Sequence, residues 1–427
     1  MHPFMGIEHW DRIGLSVEES SRRLRRIGFV DRQLMRIEVG HMLARPEYEI
    51  KGALARLAWQ EAKHNEELRN RCKQLRLSSV AYDKCPDAGL QLLMDRTLES
   101  ESTLLLLTAL FKVVKPAQIA ACRAYMELAQ PLVDEPTISL LKHQLIDRED
   151  QIGWGLSAIG ELATAASSEE LQLAARWETY LTDLLEACGG IEGQSAARTP
   201  DPLLAVPSKA FALPERSTRD ERFTSSVVKF KDIEFADSDQ GRFELMMYSR
   251  YFEMTPAEGI AYVHFTTEGK PWAFYFDTAR HLWDEVRHSW FGEAALRVKG
   301  YDVYSKPNWT GWYEMAQYAF DNDETYTHLT IAIEKAAMKY PPGKREEWEF
   351  CRDIVKDPLM TTFQDFDWAD EVVHAGFGQK WIIDALHSGD SAKAMAAAEA
   401  TVCKRVEFMK QYENGTPTKG TPFAGNY

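Results

Sequence analysis

Glu285-Val286-Arg287-His288 and Glu371-Val372-Val373-His374 decide how this chain is read. Each lies in an apolar stretch with helical spacing, and the two stand 86 residues apart. A Glu and a His three residues apart share one face of a helix, so each pair offers a carboxylate and an imidazole to one ion. Two such helices, with one further Glu from each of two partner helices, make a four-helix site for a pair of metal ions. Glu334 lies between the two pairs and Glu258 before the first, which completes the order Glu, Glu-x-x-His, Glu, Glu-x-x-His in the C-terminal half.

Glu285, His288, Glu334, Glu371 and His374 would be costly to bury unpaired in apolar helices, and metal ions would compensate them. The sixth ligand is less fixed. Thr255-Pro256-Ala257-Glu258 has the form of a capping box with Pro at the first helical position, so Glu258 has a structural reading as well. Glu253, His264 and Glu268 are its rivals, and Glu258 is preferred because it shares a stripe with Tyr262 and Phe265. Asp277 and His281 fall on the Glu285 face by steps of four, as residues that orient a ligand or as an added ligand. Asp367 and Asp370 are candidates to hold an imidazole N–H.

The N-terminal half carries a third Glu-x-x-His, Glu61-Ala62-Lys63-His64, preceded by Glu38. It aligns with Glu285–His288 at an offset of 224, and an offset of 223 sets Asp147-Arg148-Glu149-Asp150-Gln151 opposite Asp370-Glu371-Val372-Val373-His374. Two near-equal offsets indicate an internal duplication. In the N-terminal copy Arg148 and Gln151 replace a Glu and a His, and Glu334 maps to Leu110 or Phe111. A guanidinium beside Glu38, Glu61 and His64 supplies positive charge where a metal ion otherwise sits, so this copy is expected to be metal-free and structural.

Composition narrows the function classes. A formal charge of −15 leaves no concentrated basic face for nucleic acid, and Glu18, Glu19 and Asp31 flank the cluster at Arg22, Arg23, Arg25 and Arg26. The sequence shows no signal-like opening and no run of about 18 uninterrupted apolar residues, so a cytoplasmic protein without a membrane partner is expected. The six cysteines are scattered without metal-site spacing and read as buried free thiols. A Gly-x-Ser-x-Gly elbow, a Walker loop, a dinucleotide fingerprint and His-Glu-x-x-His are all missing.

Helical periodicity covers residues 17–75, broken at Arg45-Pro46, and resumes over 87–114, 116–129, 135–165 and 169–188. Gly-Gly, Thr-Pro-Asp-Pro and Leu-Pro-Glu punctuation then marks a linker. The expected organisation is a helical bundle over 1–190, a linker over 191–240, a metal-binding helical domain over 241–412 and a tail over 413–427. The fold class is all-α. Aromatic residues crowd between Trp272 and Tyr313, where they serve packing or an organic substrate pocket.

With Asp370-Glu371-x-x-His374-x-x-x-Gly378-x-x-Trp381, the C-terminal half resembles the ferritin-like superfamily, and within it the non-haem di-iron carboxylate proteins. The resemblance covers residues 241–386 and, as a degenerate copy, 27–162. It implies two tandem ferritin-like four-helix bundles and a dioxygen-activating oxidase or oxygenase. Two iron ions would be the cofactor, with manganese or a mixed pair suiting the same donors. A small organic substrate, an external electron donor and a homodimer are family-level expectations. Because relatives include ferroxidases, ribonucleotide reductase subunits, desaturases, hydroxylases and amine N-oxygenases, the reaction is not specified. Iron oxidation and storage, or a non-catalytic helical scaffold, are the alternatives.

Overall fold

The chain is predominantly helical, with almost no strand, in the computed structural model, which describes residues 3–413 except 196, 231 and 232. The expected C-terminal arm, 414–427, lies outside the described residues. Two compact units are present, one formed by Met1–Glu38 with Gln60–Ala212, the other by Val39–Trp59 with Leu213–Tyr427. This differs from the division read from the sequence, because residues 39–59 and the second part of the expected linker belong with the C-terminal half. Hydrophobic periodicity marks helices but cannot say which distant helices share a core.

The first unit takes the N-terminal part of Val17–Ala44, the C-terminal part of Tyr48–Gln74, and all of Thr103–Leu128, Glu135–Ala165 and Ser168–Ala187. Pro46 separates the first two, since Pro pushes the residue before it out of the helical region. The expected break before Pro116 does not occur. A π-helical turn over Ala109–Val114 precedes Pro116, and its altered hydrogen-bond register lets the helix run through a residue with no N–H. Thr103–Leu128 is long and apolar enough to cross a membrane by length and composition, and most of its apolar window is buried inside the protein.

In the second unit the helix Trp272–Val298 carries the first Glu-x-x-His pair. It starts after Pro271 and stops in a Schellman motif, with Tyr301 N–H donating to Leu296 C=O and Gly300 N–H to Arg297 C=O. Gly300 has φ +78°, a conformation open to glycine without strain. Asp239–Tyr251 packs closely against this helix at Gly292, where a Cβ would meet the Tyr251 backbone nitrogen at 2.1 Å. That contact brings the junction after Tyr251, with Glu253, alongside the Glu-x-x-His face.

The second pair lies on Pro358–Phe377, started by Asp357, whose carboxylate accepts from Met360 N–H, with Pro358 at the first helical position. Glu334 ends a π-helical turn, His328–Glu334. Below the site a core of Val263, Phe274, Tyr326, Ile331, Ile382 and Ile383 ties these helices together. The one ladder among the described residues is a short parallel pairing of Ser225–Ser226 with Asn308–Trp309.

Candidate metal centre

Three groups of buried or partly buried donors meet in the second unit: His281, Glu285, Glu334 and His374; Glu253, Glu285 and His288; and His288, Asp367 and Glu371. Within each group the donor atoms lie within 4.8 Å of one another, so each could hold a metal ion. His281 Nε2 is 2.7 Å from Glu334 Oε1, and His374 Nδ1 is 3.5 Å from Glu285 Oε1. His288 Nδ1 is 3.6 Å from Glu253 Oε2, 3.8 Å from Glu285 Oε1 and 3.4 Å from Asp367 Oδ1. Glu285 belongs to two of the groups and therefore lies where it can be shared between two ions.

The imidazoles are held from behind in a crossed pattern. His288 Nε2–H donates to Asp370 Oδ2 at 3.2 Å, and His374 Nε2–H donates to Asp284 Oδ2 at 3.3 Å. Each aspartate immediately precedes the glutamate of one pair and serves the histidine of the other. Arg280 and Arg287 neutralise the two aspartates, Arg280 Nε standing 2.6 Å from Asp284 and Arg287 Nη2 2.8 Å from Asp370. A carboxylate that accepts the Nε2 proton fixes the tautomer and leaves the Nδ1 lone pair facing the glutamates.

Those inward atoms have no hydrogen-bond partner among the described residues. His288 Nδ1, His374 Nδ1, Glu253 Oε2, Glu334 Oε2 and Glu371 Oε2 are all buried and unsatisfied. Buried polar groups are normally paired, and leaving one unpaired costs roughly 1–3 kcal/mol. Five orphaned donors converging on one another fit metal ions as their missing partners.

The charge balance supports the same fit. Burial, followed by repulsion from Glu253, Glu371 and Glu334, pushes the Glu285 carboxyl well above its ordinary range. Burial also pushes Glu334 up to about 8. Glu371 stays low although burial opposes it, because Lys344 Nζ lies 2.8 Å from its Oε1 and His374 is adjacent. Lys344 and Arg250 both reach Asp367, at 2.9 and 2.6 Å, and Arg250 also reaches Glu253 at 2.9 Å.

The sequence-selected residues are distributed as follows. Glu285, His288, Glu334, Glu371 and His374 come together. Glu258 is not among them: Arg219 grips it at 2.6 and 3.0 Å, Lys51 Nζ lies 2.9 Å away, and Ser217 Oγ donates to it at 2.9 Å. With both oxygens committed to two cations it has no lone pair aimed at the cluster. It does not cap its helix either, since that helix starts at Met254 and Thr255 Oγ1 instead accepts from Trp312 N–H.

Of Glu258's rivals, Glu253 joins a donor group, Glu268 is exposed, and His264 Nδ1 bonds Thr278 Oγ1 at 2.8 Å. His281 is a donor in the first group, with Tyr326 OH 3.2 Å from its Nδ1. Asp277 is in none of the donor groups, and its Oδ2 accepts from Lys380 Nζ at 2.6 Å and Trp381 Nε1 at 2.8 Å. Asp284 escaped the sequence reading, although Asp-Glu-Val-x-His occurs at both pairs and could have shown it.

In the first unit Glu38, Glu61, His64, Arg148 and Gln151 are all buried. Lys115 Nζ sits 3.0 Å from Glu38 and 2.6 Å from Glu61, and Arg148 lies 2.8 Å from Asp31 and 3.6 Å from Glu61. Gln151 Oε1 accepts from Lys115 at 3.0 Å. The sequence offset had pointed to Leu110 or Phe111 in place of Lys115, because it assumed equal spacing of the helices in the two halves. Cys85 and Cys403 are exposed, unlike the other four thiols, which are buried as expected.

Asp370→Asn and Asp284→Asn are each expected to weaken metal binding by about 10–100-fold with little loss of fold, because each frees one imidazole. Iron titration of the purified variants checks this, and unaltered affinity in both would show that the crossed pairs do not orient ligands. No protein-family model matches the chain, and no curated protein or solved structure is significantly similar to it.

Proposed function

We propose that the second unit is a ferritin-like four-helix bundle that holds two iron ions and uses dioxygen to oxidise a small organic molecule. The observation that carries this reading is the convergence of unsatisfied imidazole and carboxylate atoms. His281, Glu285, Glu334 and His374 would hold one ion, and Glu253, Glu285 and His288, with Glu371 and Asp367 beside them, the other. When bound, a ferrous pair supplies the electrons and the open coordination positions that dioxygen chemistry needs.

The remaining work falls to side chains. Asp284 and Asp370 keep both imidazoles in the ligating tautomer. Lys344 and Arg250 keep Asp367, Glu371 and Glu253 from repelling one another when no ion is bound. Trp309, Trp312, Leu329 and Ala332 line the cavity that opens onto Glu285 and Glu334, giving a substrate an apolar wall.

We read the first unit as the same bundle with side-chain cations in place of ions. His64 Nε2 meets Asp147 at 3.2 Å, as His288 Nε2 meets Asp370 at 3.2 Å, at positions related by the 224 and 223 offsets. A π-helical turn precedes Lys115 in one unit and ends at Glu334 in the other.

Iron loading should depend on pH with a definite sign. Glu334, up at about 8, holds a proton at neutral pH in the metal-free protein, and an ion must displace it; burial and the neighbouring carboxylates raise Glu285 in the same direction. Affinity is therefore expected to fall as pH drops below about 8, by about tenfold per unit for each proton displaced. Proton release measured during anaerobic Fe(II) titration checks this; none at neutral pH would contradict it.

The Lys344–Glu371 contact at 2.8 Å favours a second reading, a scaffold whose own lysine has replaced the ion. Oxygen uptake separates the two. Iron-loaded protein should consume oxygen and Glu371→Ala should not, whereas equal uptake by both would remove the oxidase proposal.

A further inference from the structure

A cavity of about 450 Å³ adjoins the donor cluster, with Glu253, Glu285, Glu334 and Glu371 in its wall. Four cations also line it, and they are not equivalent. Arg250 and Lys344 are committed to Asp367, Glu253 and Glu371. Lys229 and Arg405 form no ion pair among the described residues. Lys229 Nζ donates to Ser249 Oγ at 3.1 Å, and Arg405 Nη1 reaches His328 Nε2 only at 3.5 Å. Both stand against one indole: Lys229 Nζ is 5.3 Å and Arg405 Cζ 5.8 Å from the Trp309 ring centre.

Two half-buried cations with no ion pair among the described residues, set around one aromatic ring, are costly in a protein interior. Burial, with the neighbouring Arg250 and Arg405 guanidiniums, pushes Lys229 down to about 8 against the weaker opposing pull of Glu253 and Glu347. An anion between them would restore the balance that acidic side chains provide at Arg250 and Lys344. Trp312, Leu329 and Ala332 add an apolar wall to the same cavity, which a bare inorganic anion would not use. Cavities of this size take small molecules, with few polar groups fixing orientation.

We infer that the cavity binds a small organic acid, its anionic group held by Lys229 and Arg405 and its apolar body lying along Trp309 and Trp312 toward Glu285 and Glu334. This names the substrate class of the oxidase reading and rests on that reading for the fate of the molecule, but not for its binding. A carboxylate and a phosphate ester share the chemistry the two cations recognise.

Binding is measured on the full chain by tryptophan fluorescence and equilibrium dialysis, with and without Fe(II) under anaerobic conditions. The probes are indole-3-acetate, phenylacetate and phenyl phosphate, against the neutral isosteres indole-3-acetamide and phenylacetamide. At least one anion should bind about tenfold or more tighter than the neutral compounds. Lys229→Met and Arg405→Met should each erase that preference without changing iron loading. The ratio of phenyl phosphate to phenylacetate affinity tells which anion the site prefers.

Equal affinity for acids and amides, no binding by any anion, or a preference that survives both substitutions would overturn the inference. Anion selectivity in a protein that takes up no iron would support the cavity and remove the oxidase reading. Iron uptake without anion selectivity would do the reverse.

Discussion

Glu285→Gln is expected to abolish loading of the iron pair while leaving the metal-free fold at least as stable as wild type. Glu285 is the carboxylate common to two donor groups, so its loss affects both ions, and the effect should exceed the roughly 10–100-fold typical of an outer residue. Glutamine keeps the volume and avoids a cavity. Stability should not fall, because burial and the carboxylates of Glu253, Glu371 and Glu334 already make a charge at Glu285 unfavourable without metal. A glutamate kept for structure behaves in the opposite way. Metal analysis paired with urea denaturation separates the two cases; a variant that unfolds more easily yet still loads iron would count against a metal role.

Lys115→Met is expected to destabilise the first unit by about 3–5 kcal/mol, the range for breaking a buried ion pair by removing one partner. Lys115 lies between Glu38 and Glu61, and all three are inaccessible to solvent. Burial alone would raise Glu61, but Lys115 and Arg148 hold it down to about 2. A group whose folded value is depressed contributes stability above its unfolded value of 4.5, and that contribution is lost as pH falls through about 2. Lys115→Met should therefore flatten the acid limb of the stability profile as well as lower its plateau. Adding Glu38→Gln and Glu61→Gln to the variant should recover much of the loss, since an entire charge cluster is cheaper to remove than half of one. A loss below about 1 kcal/mol in the single variant would show that the buried charges are neutralised in another way.

Much of the site was legible because its spacing is local. Glu285 with His288, and Glu371 with His374, are helix neighbours, so their register is visible without knowledge of the fold. The choice between Glu253 and Glu258 was not visible. It depends on Lys51 and Arg219, which arrive from segments that the sequence assigned to another domain and to a linker. Glu253 also lies at the break between two helices, where periodicity gives no face.

Lys115 was hidden for a different reason. The duplication offset is set by the Glu-x-x-His helices and assumes equal spacing between helices in both halves, so it pointed to Leu110 or Phe111, about one turn too early. In the short ladder, Ser225–Ser226 lay in a stretch read as linker and Asn308–Trp309 in one read as helical domain, and two-residue strands carry no alternation to detect. All-α architecture, by contrast, followed from long amphipathic segments whose ends Pro and Gly mark.

The measurement that bears most directly on a di-metal oxidase is anaerobic Fe(II) loading of the full chain, followed by metal analysis and an optical spectrum on admission of oxygen. About two irons per chain and a transient visible absorption are expected from one di-iron site in the second unit. About four irons would show that Lys115 and Arg148 do not exclude metal from the first unit. Protein that takes up no iron would contradict the assignment and leave a helical scaffold stabilised by its own buried cations.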